Sequence, residues 1–78
     1  MSKAENILLQ MRNNPRGDWH IEDFKTVAKR HGIEWRQPGT SHVIFKAPNG
    51  DKVSVPAHKP IKPPYVRQFL AMIDRLRD

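Results

Sequence analysis

Residues 41–56 read SHVIFKAPNGDKVSVP, and this stretch constrains the fold more than any other. Val43 and Phe45 alternate with His42, Ile44 and Lys46, and Val53 and Val55 alternate with Lys52 and Ser54. Successive side chains of a strand point to opposite faces, so each run puts its apolar residues on one side and mostly polar ones on the other. Between the runs, Asn49-Gly50 is the strongest short hairpin signal in the chain. Ile33 to Gln37 reads as a third strand with Ile33 and Trp35 on one face, and Pro38-Gly39 turns the chain out of it. The expectation is a three-stranded antiparallel meander with one apolar face and one basic, polar face.

The apolar face needs a cover, and the flanking segments supply helices. Ala4, Ile7, Leu8 and Met11 form one stripe of a short amphipathic helix, which Pro15 and Gly17 end. Ile21, Phe24 and Ala28, with Val27 alongside, mark a second helix. Glu22 and Asp23 sit in its first turn, Lys29 and Arg30 in its last, and Gly32 follows as a C-terminal cap. After the proline-rich bend PAHKPIKPP, Val66, Phe69, Leu70, Ile73 and Leu76 form the clearest helical stripe, with Pro64 suited to its first turn. The order is α-α-β-β-β-α, an α+β sandwich of two layers with helices packed on one face of the three-stranded antiparallel sheet. At 78 residues the chain is expected to be one domain, residues 1–78.

Charge narrows the partners. The formal net charge is +6, and between Arg36 and Arg67 six basic residues face Asp51 alone. A basic field confined to one segment points to a polyanion, with RNA or DNA ahead of an acidic protein, against the plainer reading of a lysine-rich solvated surface. The absence of cysteine rules out disulfides and thiolate metal sites and suits a reducing cytoplasm. No run is apolar enough for a signal peptide or a membrane span, so a soluble cytoplasmic protein without a membrane partner is expected. There is no glycine-rich phosphate loop, no paired-carboxylate signature and no metal-ligand spacing among the four histidines, so neither cofactor nor metal is expected. His20 and His31 flank the second helix, where a capping or surface role explains them.

Acid–base chemistry by His42 is what remains. On the polar face of the central strand it shares a surface with Lys46 and Lys52. An imidazole titrating near neutrality can take a proton from a ribose 2′-hydroxyl or return one to a leaving oxygen, while lysines hold the phosphate. Thr40 and Ser41 can orient the ring or contact phosphate through their hydroxyls. A merely exposed strand histidine is the alternative. His58 is read as a phosphate contact near the start of the last helix, where free backbone amides would help, with acid–base and plain loop roles left open. Trp19 and Trp35 each adjoin an apolar position and are expected in the core.

GTSHVIF (Gly39 to Phe45), then VSVPAHKPIKP (Val53 to Pro63) and an amphipathic helix, together resemble the HicA toxins, small bacterial mRNA interferases of toxin–antitoxin systems. The resemblance runs from Glu22 to Ile73, with the first helix like that of members carrying an N-terminal extension. The chain reads Gly39-Thr40-Ser41-His42 where the commoner form places glycine directly before the serine. The resemblance implies a double-stranded-RNA-binding-domain-like fold and metal-independent RNA cleavage centred on His42. It also implies a HicB-like antitoxin that covers the site, so that the chain is a monomer alone and a hetero-oligomer with its antitoxin. His58 matches the later family histidine.

These readings combine into an endoribonuclease toxin acting on mRNA. His42 is its catalytic residue, and Thr40, Ser41, Lys46, Lys52, His58, Lys59 and Lys62 bind RNA or stabilise charge. Two rivals stand beside it: a non-catalytic RNA-binding module of the same fold, and a DNA-associated regulatory or partner-binding protein.

Overall fold

The computed structural model describes residues 2–39, 41–57 and 60–77. Helix α1 (Lys3–Asn13) starts at Ser2, whose hydroxyl accepts from the Glu5 backbone N–H at 3.2 Å, one of the donors a helix start leaves without an internal partner. Its buried face is Ala4, Leu8 and Met11. Helix α2 (Ile21–Arg30) is capped by Asp23, whose carboxylate accepts from the His20 N–H at 3.0 Å. It ends as expected at Gly32, which has φ +70°. The Gly32 N–H reaches the Lys29 carbonyl and the Ile33 N–H reaches that of Ala28 at 2.9 Å, a Schellman closure that needs the left-handed residue glycine provides.

The strands β1 (Glu34–Arg36), β2 (His42–Lys46) and β3 (Lys52–Pro56) pair antiparallel in the order β1-β2-β3. Register aligns Trp35 with Phe45 and Phe45 with Val53, and Val43 with Val55, all on the covered face. Between β2 and β3 the Ala47 N–H donates to the Asp51 carbonyl at 2.8 Å and the Gly50 N–H to that of Ala47 at 3.0 Å. Within this loop only Gly50 carries a positive φ, +96°, so Asn49 sits inside a three-residue loop closed by a glycine bulge, with its side chain bonded to Asp51.

Helix α3 (Pro63–Arg77) packs on β3, α2 on β1, and α1 against both helices. Phe24 of α2, Phe45 of β2 and Phe69 of α3 meet in one cluster. Their ring centroids lie 4.8 Å (Phe24–Phe69) and 5.2 Å (Phe45–Phe69) apart, tilted or edge-on as the aromatic quadrupole prefers. All three are fully buried, and Met72 joins them, a core residue that the α3 stripe read from sequence does not include. Because Val43 and Phe45 are drawn into this core, the odd–even rule turns His42, Ile44 and Lys46 outward; their burial follows the alternation. The expected two-layer arrangement, helices on one face of the sheet, is the arrangement present.

Trp19 and Trp35 divide. Trp19 is half-buried against the core, and its indole N–H donates to the Asn14 carbonyl at 2.7 Å. Trp35 departs from the expectation: it lies over Phe45, ring centroids 6.3 Å apart, yet is 37 % exposed. Its strand is an edge, so one flank of the indole has no neighbouring strand beside it.

Candidate functional site

Candidate residues Thr40, His58 and Lys59 lie outside the described residues. The others sort by register. The open sheet face has three rows: Glu34, Lys46 and Lys52 at one end, Arg36, Ile44 and Ser54 in the middle, and His42 opposite Pro56 at the other end. His42, Lys46, Lys52 and Ser54 are exposed. Several carboxylates are occupied elsewhere. Asp74 forms a two-pronged pair with Arg12, Glu5 pairs with Arg30 at 3.2 Å, and Asp51 accepts from Arg75 Nε at 2.6 Å. That Arg75 hydrogen bond holds the Asp51 carboxyl below its ordinary value against an opposing effect of desolvation, with the guanidinium charge and Asn49 lowering it further. Arg12, Arg30 and Arg75 of the helical layer are thus neutralised locally, whereas on the open sheet face Glu34 stands against Arg36, Lys46 and Lys52.

His42 and the two strand lysines share a face but not a neighbourhood. His42 opens β2 and Lys46 closes it, so at the usual strand rise they stand about 13 Å apart, and Lys52 lies across from Lys46. The structure thus separates Lys46 and Lys52 from His42 along the strands, at the far end of the same open face. The face beside the lysines holds a cavity of about 250 Å³ lined by Glu34, Trp35, Arg36, Ile44, Lys46 and Lys52.

What the fold brings to His42 is the entrance to α3. His42, Pro56, Pro60, Ile61, Lys62 and Tyr65 line a cavity of about 210 Å³. Its walls are tied in place. Beyond the last ladder pair the Ala57 N–H donates to the Ser41 carbonyl at 2.6 Å, and the Ile61 N–H donates to the Trp19 carbonyl at 2.8 Å. Among the described residues Lys62 is the cation that lines this cavity with His42, and Tyr65 is a lining residue that the sequence reading missed. Its signal was an aromatic residue with a polar tip, on the flank of the α3 stripe at the first turn.

The expected phosphate cradle of free amides at the start of α3 is not there. Pro63 and Pro64 occupy its first two positions and have no N–H, while the Tyr65 and Val66 amides both donate to the Lys62 carbonyl, at 3.0 and 3.4 Å. Among the described residues no group of histidines and carboxylates gathers with the spacing to hold a metal ion, and no helix is long and apolar enough to cross a membrane.

Fold and site together define a class: a small α+β protein with one sheet face sealed by helices and the other open, basic and ending in an exposed histidine. Compared with family models, residues 21–74 match the one described as HicA toxin of bacterial toxin-antitoxin. The match begins at the first residue of α2 and includes the whole sheet and most of α3, leaving α1 outside it. The chain belongs to the HicA toxin family, the toxins of bacterial toxin–antitoxin systems. Neither the curated proteins nor the solved structures compared with it give a match.

Proposed function

We propose that this chain, acting as one domain, is an endoribonuclease that cuts mRNA with His42 as its acid–base group and is neutralised by a HicB-like antitoxin. The observation that carries this reading is the exposed imidazole at the end of a basic strand face, beside a cavity with Lys62 in its lining. Imidazole is the side chain suited to taking and returning a proton near neutral pH. His42 takes the proton of a ribose 2′-hydroxyl as its oxygen attacks the adjacent phosphorus. The bond from phosphorus to the 5′-oxygen breaks, and that oxygen leaves with the proton returned by the imidazolium. The products are a 2′,3′-cyclic phosphate and a 5′-hydroxyl, so atoms and charge balance without a metal ion. Lys62 faces the charge that develops on the phosphate, and Arg36, Lys46 and Lys52 hold flanking phosphates, with Ser41 beside His42. Thr40, His58 and Lys59 are assigned RNA contact through their chemistry alone.

The antitoxin is an acidic protein that meets the same basic face and hides His42. His42→Ala tests the chemistry: cleavage is lost while RNA affinity is retained. A pure RNA-binding module has no cleavage to lose, and a DNA-associated protein prefers duplex DNA in competition at fixed salt. Excess chelator leaves cutting intact; a requirement for added magnesium sinks the mechanism. Cleavage that continues undiminished at saturating antitoxin contradicts the proposed masking.

A further inference from the structure

We infer that the cavity bounded by His42, Pro56, Ile61, Lys62 and Tyr65 is a nucleobase subsite that selects one unpaired base flanking the cut bond; its place beside that bond rests on the nuclease reading. The lining joins three kinds of surface. Pro56, Pro60 and Ile61 give it apolar walls, Tyr65 an aromatic ring, and Lys62 a cation for the phosphate attached to the base. Among the described residues no carboxylate lines it to repel that phosphate. Sequence-specific recognition of RNA works mainly on unpaired bases, which stack on aromatic side chains and offer their edges to polar groups.

Size and rigidity favour this occupant. At about 210 Å³ the cavity is smaller than pockets that enclose drug-sized molecules, which suits a single planar base rather than a dinucleotide. Prolines at 56, 60, 63 and 64 lock the backbone around it, and the bonds from Ala57 to Ser41 and from Ile61 to Trp19 pin both walls. A pocket already shaped loses little freedom when it fills, so more of the stacking energy appears as affinity. Tyr65 is itself half-buried against the core, which limits the rotamers open to its ring. Lys46 and Lys52, at the far end of the strands, follow the backbone of the same RNA.

The test uses the whole chain and 2′-fluoro RNA decamers, which lack the attacking hydroxyl and so stay uncut. Homopolymers of each base identify the preferred base, and an abasic nucleotide is then moved along the preferred decamer. Wild type is compared with Tyr65→Phe, which keeps the ring, and Tyr65→Leu, which keeps apolar bulk, with thermal melts to confirm that each is folded. Tyr65→Leu is expected to weaken binding of the preferred decamer on the order of tenfold, the stacking of one base. That loss vanishes when the abasic nucleotide occupies one particular position, and Tyr65→Phe stays within a factor of about three of wild type. Equal affinity for all four homopolymers, an equal loss on intact and abasic decamers, no loss at all, or no measurable binding by wild type overturns the subsite. Tyr65-dependent base binding by a chain that cuts no natural RNA keeps the subsite and removes the nuclease reading instead.

Discussion

Replacing Lys46 and Lys52 together with alanine separates binding from chemistry, because both stand about 13 Å from His42 along the strands. At that distance in water each charge interacts with a unit charge on the scissile phosphate by roughly 0.3 kcal/mol, and physiological salt, with a screening length of about 8 Å, reduces this further. The double variant should therefore cut bound RNA at nearly the wild-type rate, within about twofold, in single-turnover assays at saturating protein. Binding behaves differently. Each phosphate neutralised on a single strand contributes about 0.7 to the slope of log affinity against log salt, so losing two lowers the slope by about 1.4. Between 50 and 200 mM salt, wild-type affinity for an uncut decamer should accordingly fall about sevenfold more than that of the variant. Lys62→Ala gives the opposite pattern, because its charge borders the cavity beside His42: a saturating rate lower on the order of tenfold or more, with a smaller change in salt slope. A tenfold drop in the saturating rate of the Lys46/Lys52 variant, with its salt slope unchanged, refutes the assignment of these lysines to remote phosphates.

His42→Ala should lower the cleavage rate by about 10²- to 10⁴-fold and abolish growth arrest on expression, with an unchanged thermal midpoint because the side chain is exposed. Phe45→Ala removes the ring at the centre of the aromatic cluster and should cost about 3–5 kcal/mol in urea unfolding, enough to leave much of a small protein unfolded. Gly32→Ala places a side chain at φ +70° with no neighbour within 4 Å to clash, so it costs backbone strain alone, about 1–2 kcal/mol, seen as a melting point lower by roughly 5–15 °C. Asp51→Asn tests the contact with Arg75. The folded carboxyl lies below its ordinary value of 3.8, so its stabilisation is complete above that pH and disappears as pH falls through the lowered folded value. Wild type should thus be the more stable at neutrality, with the gap closing below about pH 4; a gap independent of pH rejects the charge contribution.

Alternation in residues 41–56, the helical stripes and the cap at Gly32 were readable before any coordinates, and so was the outward turn of His42. Each is a local rule: strand period two, helix period 3.6 and a left-handed cap depend on residues within a few positions of one another. The family resemblance was readable for the same reason, since its motifs are short runs in fixed order. Trp35 shows where local rules end. Its face was correctly read, but its exposure depends on β1 being an edge, a property of how strands assemble. The same holds for the site. That Lys62 and Tyr65 line one cavity with His42, while Lys46 and Lys52 line another, follows from α3 packing on β3, which brings residues some twenty positions away to the end of the strand. Proximity of that kind comes from the burial of Phe24, Phe45 and Phe69 in one core, and no spacing along the chain encodes it.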